Sequence, residues 1–420
     1  MKVFKFGGGV IKDAESIKLL ANILIEYSYH KIIVVISAMG KTTNALEEVI
    51  NKSLEKDSNF DIELFEIEQY FKKIITNLYD TEATEAQIQL KQYFAEIRYK
   101  IEKHKNSRYD FYYDQIVGYG EIISSVIISN YLKSTGLKNK WIDARDIIKT
   151  TGKNRMAEIL EDNTVHHVRQ SISLEISEKL FITQGFIGAD DEENMTTLGR
   201  EGSDYSAAII ASSIMVEEVV FWKDVNGVFN ADPKFYFDAI SINEMSYDDV
   251  FELSKLGAKI IHQKTIQPLK EKNIPFEIRK FTFPLQRGTI IKEVVENEMN
   301  FPLIIKKENQ AILTVLRKDK NTFTIDDRKI LSKYFYKLDF DPDFLKFTDI
   351  KLITCIKDEK NRIVTFFNAV KKKFKLFYTK NVNLLIIKNH NDELIEELTK
   401  NKKILRIVKE GDRIYIAYRD

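Results

Sequence analysis

Five stretches of the sequence set lysine, arginine, carboxylate and glycine close together, the residue types that handle anions. Lys5-Phe6-Gly7-Gly8-Gly9 closes an apolar run. Glycines there let backbone N–H groups reach phosphate oxygens, and Lys5 adds a positive charge beside them. A plain flexible turn explains the same residues. Ser37-Ala38-Met39-Gly40-Lys41-Thr42-Thr43-Asn44 follows a β-branched run. Its Gly-Lys-Thr is not a P-loop, because the glycine required five residues before Gly40 is Val35. The hydroxyls of Ser37 and Thr43 suit a carboxylate or a phosphate, or one of them caps the next helix. In Gly199-Arg200-Glu201-Gly202-Ser203-Asp204, Arg200 offers a planar fork for a carboxylate. Asp204 suits an ammonium group, although capping by Ser203 and Asp204 is the simpler reading of this stretch alone. Trp222 to Lys234 runs from a strand end through an Asn226-Gly227 turn to a second turn at Asp232-Pro233. The fifth stretch is Gly257-Ala258-Lys259-Ile260-Ile261-His262, in which Lys259 by default is a solvated helix lysine.

The elements that must position these residues follow from periodicity. Residues 2–6 read as a strand and Asp13 to Tyr29 as an amphipathic helix, with Ile17, Leu20, Leu24 and Tyr27 at helical spacing. Ile32 to Ile36 is a continuous β-branched run, the mark of a strand buried on both faces. Strand, helix and buried strand make a βαβ unit with parallel pairing. Residues 60–105 read as a helical insertion, and a further helix is expected over Gln115 to Lys133. Phe181 to Ile187 and Val219 to Trp222 read as strands, with a helix from Asp204 to Ser212 between them. Of the 16 glycines only Gly411 lies beyond Gly288, so ligand-handling chemistry is expected in the first 290 residues or so. After that, strand followed by helix recurs at Ala311 and at Val382, a weak internal repeat of two small α+β units.

Composition narrows the function classes. Lys plus Arg is 64 and Asp plus Glu is 63, so no global field favours nucleic acid or a membrane surface. Hydrophobic residues make up 44% and charged residues 30%, as in soluble globular chains. A single cysteine, Cys355, forms no internal disulfide. His166 and His167 are adjacent and so do not share a face; no metal site on the protein is expected. No apolar run approaches the roughly 20 residues of a membrane span. Met1 leads directly into a charged strand pattern, so neither a signal peptide nor an extracytoplasmic location is expected.

Taken together, the order and spacing of the five stretches resemble the aspartate kinases, of the wider amino-acid kinase fold. Supporting the resemblance are Gly120-Glu121, Asp143-Ala144-Arg145 and Phe181-Ile182-Thr183-Gln184-Gly185-Phe186-Ile187-Gly188. It implies an α/β fold: a mainly parallel sheet sandwiched by helices over residues 1–294, then ACT-like α+β units at 303–381 and, shortened, at 382–420. It also implies roles. Lys5 with Gly7, Gly8 and Gly9 holds the transferring phosphoryl group, and Lys259 meets the phosphates. Ser37 and Thr43 contact the aspartate, Arg200 grips a carboxylate, and Glu121 and Asp204 hold the amino group. Lys223, Asp224, Asp232 and Lys234 line the nucleotide site. The implied ligands are L-aspartate, ATP and the Mg²⁺ carried by its phosphates, and the implied assembly is a homodimer or higher oligomer through the C-terminal units. These residue types fit phosphoryl transfer, which depends on charge neutralisation and in-line positioning. The acceptor carboxylate is already ionised at neutral pH and needs no general base.

Three departures stand out. Glycine is usual where Glu201 stands, and Thr and Arg are frequent where Lys223 and Lys234 stand. Lys318 to Arg328 lacks the glycine of an ACT-type effector site and carries Asp319, Asp326 and Asp327, which oppose a bound carboxylate. A sister kinase acting on another acid is the first alternative; the Arg200/Asp204 pair and the C-terminal extension weigh against it. A non-catalytic amino-acid sensor is the second; the presence of Lys5, Glu121, Arg200, Asp204 and Lys259 weighs against that.

Overall fold

A computed structural model describes residues 1–55, 59–79, 84–173, 178–258, 260–295 and 301–420. The chain divides into two compact units. The first comprises Met1–Val228, Ser241–Ser254 and Lys259–Glu296; the second comprises Phe229–Ile240, Lys255–Ala258 and Asn297–Asp420.

The first unit opens with strand β1 (Lys2–Phe6), helix α1 (Ala14–Glu26) and strand β2 (Ile32–Ile36). Every residue of β2 is buried, as its unbroken β-branched run requires. Asp13 starts α1 by accepting from Ser16 N in a capping box, and Ile17, Leu20 and Leu24 are buried along one face. Helix α2 (Thr42–Leu54) follows, then α3 (Asp61–Leu78) and α4 (Thr84–His104), the expected helical insertion. The single helix expected at Gln115–Lys133 is instead two, α5 (Tyr109–Val117) and α6 (Tyr119–Ser134), separated at Gly118. A Cβ on Gly118 would lie 2.5 Å from Met195 Sδ and 2.8 Å from Ile187 Cγ2, so tertiary packing sets the break. Up to residue 223 there follow β3 (Lys140–Trp141), α7 (Ala144–Ile147), α8 (Glu161–Val168) with a π-helical turn (Arg169–Ser173), β4 (Leu180–Gln184), β5 (Ile187–Ala189), β6 (Met195–Thr197), α9 (Gly202–Ile214) and β7 (Glu218–Lys223).

An eight-stranded sheet runs Glu244–Ser246, Thr289–Lys292, Phe276–Lys280, β7, β1, β2, β4, β3. Its described pairings are parallel except that between Phe276–Lys280 and Thr289–Lys292. Helices flank it, with α9 against β1, β2 and β7 and α6 against β2 and β4. β1 lies between β2 and β7, and Lys5 sits opposite Val35 and Phe221. The loops leaving β1, β2 and β7 therefore emerge at one end, where open α/β sheets bind ligands.

The second unit is a six-stranded antiparallel sheet in the order Phe344–Phe347, Lys351–Lys357, Leu303–Arg317, Phe374–Lys388, Arg413–Arg419, Lys403–Glu410. Two 15-residue strands pair at its centre, each followed by a helix, Ile325–Lys337 and Asp392–Thr399. Each half is therefore a long strand, a helix and two shorter strands, as the weak repeat suggested. The helix Lys360–Val370 ends the first half. Residues 381 and 382, where the sequence reading placed the join, lie inside the strand Phe374–Lys388. Upstream segments complete this unit. Tyr236 packs with Leu385, Ile387 and Tyr418, Ile304 N donates to Asn230 O at 2.7 Å, and Leu256 joins the core of Ile353, Leu384 and Tyr415. The aspartates that seemed set to oppose a carboxylate are mostly committed elsewhere. Asp327, fully buried, pairs with Arg317 at 2.8 Å and Lys373 at 2.6 Å, and Asp319 pairs with Arg317.

Candidate active site

The carboxyl ends of β1 and β7 present Lys5 and Lys223, and the first turn of α9 sets Asp204 between them. Lys5 Nζ lies 2.6 Å from Asp204 Oδ1, and Lys223 Nζ lies 2.7 Å from Asp204 Oδ2. The Lys5 and Asp204 side chains are 8% and 3% exposed, so this is a nearly dry cluster of two cations and one anion. Burial pushes the Lys5 ammonium below the usual lysine range; Asp204 resists that shift and Lys223 reinforces it. Burial alone would raise Asp204, but the two ammonium groups outweigh it and hold the carboxyl well below its ordinary value. Lys223 is raised, because Asp204 overcomes the effect of burial. The cluster keeps a net positive charge facing the glycine turn. Both oxygens of Asp204 are committed to lysines, so its geometry is that of a lysine organiser, not of the free ammonium acceptor or helix cap that the sequence suggested. No side chain caps α9.

Glu121 lies in the first turn of α6, 3% exposed. Burial pushes its carboxyl up to about 8, against backbone N–H groups including that of Ala38, the charge of Lys5 and a hydrogen bond from Thr43. Its Oε2 is buried with no hydrogen-bond partner among the described residues. A buried carboxyl with one free oxygen is a ready receptor for an ammonium group. Ser124, one turn further along α6, accepts from Met39 N at 2.9 Å and so fixes the loop after β2. The sequence reading missed it, although its spacing from Glu121 marks the same helix face.

An acid whose folded pKa is raised contributes stability that is full below its unfolded value and lost as pH rises through the folded one. For Glu121 that window runs from about 4.5 to about 8. Glu121→Gln is therefore expected to flatten the fall in stability of the ligand-free protein between these pH values. Each unit of the gap is worth about 1.4 kcal/mol. Thermal melts at several pH values check this, and parallel curves for the two proteins would refute the assignment.

The loops close over one another. Gly40 N donates to Gly8 O at 3.1 Å, and a Cβ on Gly8 would stand 2.2 Å from Ala38 O, so only glycine fits there. Gly9 has open space around it, and Gly7 sits beside Lys5. Ser37 and Thr43 are half-buried, and neither caps α2, whose N-cap Lys41 makes no side-chain hydrogen bond. The Thr43 hydroxyl instead hydrogen-bonds the Glu121 carboxyl. Arg200 is exposed on the turn that opens α9. Glu201 takes φ 56, a left-handed conformation in which glycine is the least strained residue. Asp224 is exposed after β7. Asp232 and Lys234 lie in the second unit, where Asp232 Oδ1 accepts from Lys234 N at 2.9 Å and stabilises the turn. Lys259 falls outside the described residues.

Residues 1–280 match the model of the amino acid kinase family. The chain is 28% identical over 313 residues to lysine-sensitive aspartokinase 3 of Escherichia coli, covering 74% of this chain and 69% of that one. It is 30% identical over 312 residues to the chloroplastic bifunctional aspartokinase/homoserine dehydrogenase 2 of Arabidopsis thaliana, covering 72% of this chain and 33% of that one. The chain thus spans about a third of the length of such bifunctional relatives. Among solved structures, aspartokinase III of E. coli in complex with lysine and aspartate matches with a TM-score of 0.83 at 21% identity, covering 100% of this chain and 95% of that one. Aspartate kinase of Clostridium acetobutylicum matches with a TM-score of 0.79 at 20% identity, covering 100% and 96%. These likenesses establish the fold.

Proposed function

We propose that this chain, which belongs to the amino acid kinase family, is an aspartate kinase, moving the γ-phosphoryl group of ATP onto the side-chain carboxylate of L-aspartate. The observation that carries this reading is the juxtaposition of two subsites. The Lys5–Asp204–Lys223 cluster suits phosphate oxygens, and Glu121, within the field of Lys5, suits an ammonium group. A substrate that satisfies both is an amino acid with a second carboxylate.

In this reading one oxygen of the aspartate side chain attacks the γ-phosphorus. The bond to the β,γ-bridging oxygen breaks, and its electron pair leaves on ADP. No proton need move. Lys5 neutralises the transferring group while Asp204 holds both lysines in place. Gly7, Gly8 and Gly9 offer backbone N–H groups to the phosphates. Ser37, Thr43 and Glu121 orient the acceptor, and Arg200 binds a carboxylate. Lys223 and Asp224 serve the nucleotide; Asp232, Lys234 and Lys259 keep the nucleotide roles implied by the sequence resemblance. Mg²⁺ arrives on the ATP phosphates and supplies further neutralisation there. Residues 1–294 form the kinase part; 303–381 and 382–420 are ACT-like units that join copies of the chain in a homodimer or higher oligomer. The product, 4-phospho-L-aspartate, opens lysine, threonine and methionine synthesis in the cytoplasm.

The test is ADP release with aspartate, glutamate, acetylglutamate and UMP as acceptors, with hydroxylamine trapping of an acyl phosphate. Aspartate-dependent hydroxamate is the expected result; turnover with another acceptor alone overturns the proposal. Arg200→Lys is expected to raise the KM for aspartate, because lysine cannot reproduce the planar fork. Loss of such a charge-assisted bond costs about 1.5–3 kcal/mol, or roughly ten- to hundredfold in KM. An unchanged aspartate KM beside a raised ATP KM would place Arg200 on the nucleotide.

A further inference from the structure

We propose that Asp114 is a positioning residue for the acceptor subsite, which it shapes through Asn154, Arg155 and Thr197. The proposal rests on the aspartate kinase reading. Asp114 lies on α5, fully buried. One oxygen accepts from Thr197 Oγ1 at 2.7 Å. The other accepts from Arg155 N at 3.0 Å and Asn154 Nδ2 at 3.2 Å. A fully buried carboxyl is costly to keep, and burial pushes this one up to about 6. An apolar residue would fill the same volume without that cost, so the carboxyl is kept for what its three partners do.

Each partner leads to a substrate-facing element. Thr197 ends β6, two residues before Gly199, and Thr197 O accepts from Ala157 N at 3.0 Å. Gly199 has φ 77, and a Cβ there would stand 3.0 Å from Arg155 O. The turn that presents Arg200 therefore rests on the carbonyl of the residue whose N–H Asp114 holds. Arg155 is itself left-handed, at φ 63, and needs such anchoring to stay so. Its side chain reaches the other half of the subsite. The guanidinium lies over the Tyr113 ring at 4.2 Å, and Nη2 meets Glu47 Oε1 at 3.3 Å. Glu47 is one turn along α2 from Thr43, on the same face. A single node thus sets the position of Arg200 and of Thr43, which come from loops far apart in sequence. Among the described residues no hydrogen bond or ion pair links Lys5, Asp204 or Lys223 to this node, so the effect is expected at the acceptor.

The experiment is steady-state kinetics on Asp114→Ala, Asp114→Asn and Asn154→Ala, with thermal melts. Asp114→Ala is expected to raise the aspartate KM at least tenfold while the ATP KM stays within twofold. Asp114→Asn keeps one oxygen in the place of Oδ1, which accepts from both Thr197 Oγ1 and Arg155 N, and is expected to recover most of the loss. Asn154→Ala, at the edge of the node and without a core change, is expected to raise the aspartate KM about threefold. If Asp114→Ala does not fold, the other two variants decide. Equal rises in both KM values, or an unchanged aspartate KM in folded variants, overturns the proposal. If the wild type phosphorylates another acid, the aspartate reading fails, and the same split on that acid upholds the role of Asp114. A wild type that releases no ADP with any acceptor overturns both.

Discussion

Lys5→Ala is expected to cut kcat by two to three orders of magnitude while the affinity for ATP stays within about threefold. A preorganised charge aimed at the transferring group is worth about 3–4 kcal/mol in the transition state. Lys5 has the features for that role. It is held at 2.6 Å by Asp204, buried, and placed on the central strand beside the glycine turn. The charge costs no reorganisation when the reaction occurs, so its loss falls on kcat more than on ground-state binding. The fold should survive, because Asp204 keeps Lys223 as a partner at 2.7 Å. Single-turnover rates together with nucleotide titration check the prediction. A kcat within threefold of the wild type would remove Lys5 from the mechanism.

Asp204→Asn is expected to do damage of another kind. It leaves the two ammonium groups without the buried carboxylate that pairs them, with only the weaker influence of Glu201 on both and of Asp224 on Lys223. Removing one partner from a buried ion pair costs about 3–5 kcal/mol, which corresponds to a fall in Tm on the order of 10 °C. Catalysis should fall too, since the lysines then repel each other out of register. The combined variant Asp204→Asn with Lys223→Met is expected to regain part of the stability but not the activity. Melting curves on the single and double variants measure this coupling. An unchanged Tm for Asp204→Asn would mean that the cluster is solvated, and the electrostatic account would fail.

The local parts of this architecture were legible in the sequence. The unbroken β-branched run of Ile32–Ile36 could only be a doubly buried strand, and the glycines after Phe6 marked the ligand end of β1. Helix α1 announced itself by spacing. What local pattern could not show was which charges meet across long separations. Asp204 read as a cap because capping is a local role; its pairing with Lys5 and Lys223 depends on β1 and β7 lying side by side. Asp114 gave no signal at all, since its partners lie some 40 and 83 residues downstream. Some misses were avoidable. Lys403–Glu410 and Arg413–Arg419 form a hairpin about Gly411, at φ 60, with β-branched and aromatic residues on both arms. The alternation and the glycine were enough to find it. Asp327 was read as a bare charge because Lys373 becomes its neighbour only when the sheet forms, whereas Arg317 stands two residues before Asp319 and that pairing was legible in the sequence.

The second unit takes Phe229–Ile240 and Lys255–Ala258 from within the stretch that also builds the first. That interleaving has a consequence for synthesis. On the ribosome these segments emerge long before the strands that receive them. At roughly 5–20 residues per second, the interval between residue 240 and residue 420 is on the order of 10–40 s. Within that time Tyr236 waits for Leu385 and then Tyr418, and Leu256 waits for Ile353, Leu384 and then Tyr415. The nascent chain therefore holds a half-built loop in an otherwise formed unit until its last strands arrive, and this is the stage at which a holding chaperone would have something to bind. For the same reason no single cut in the chain separates the two units cleanly.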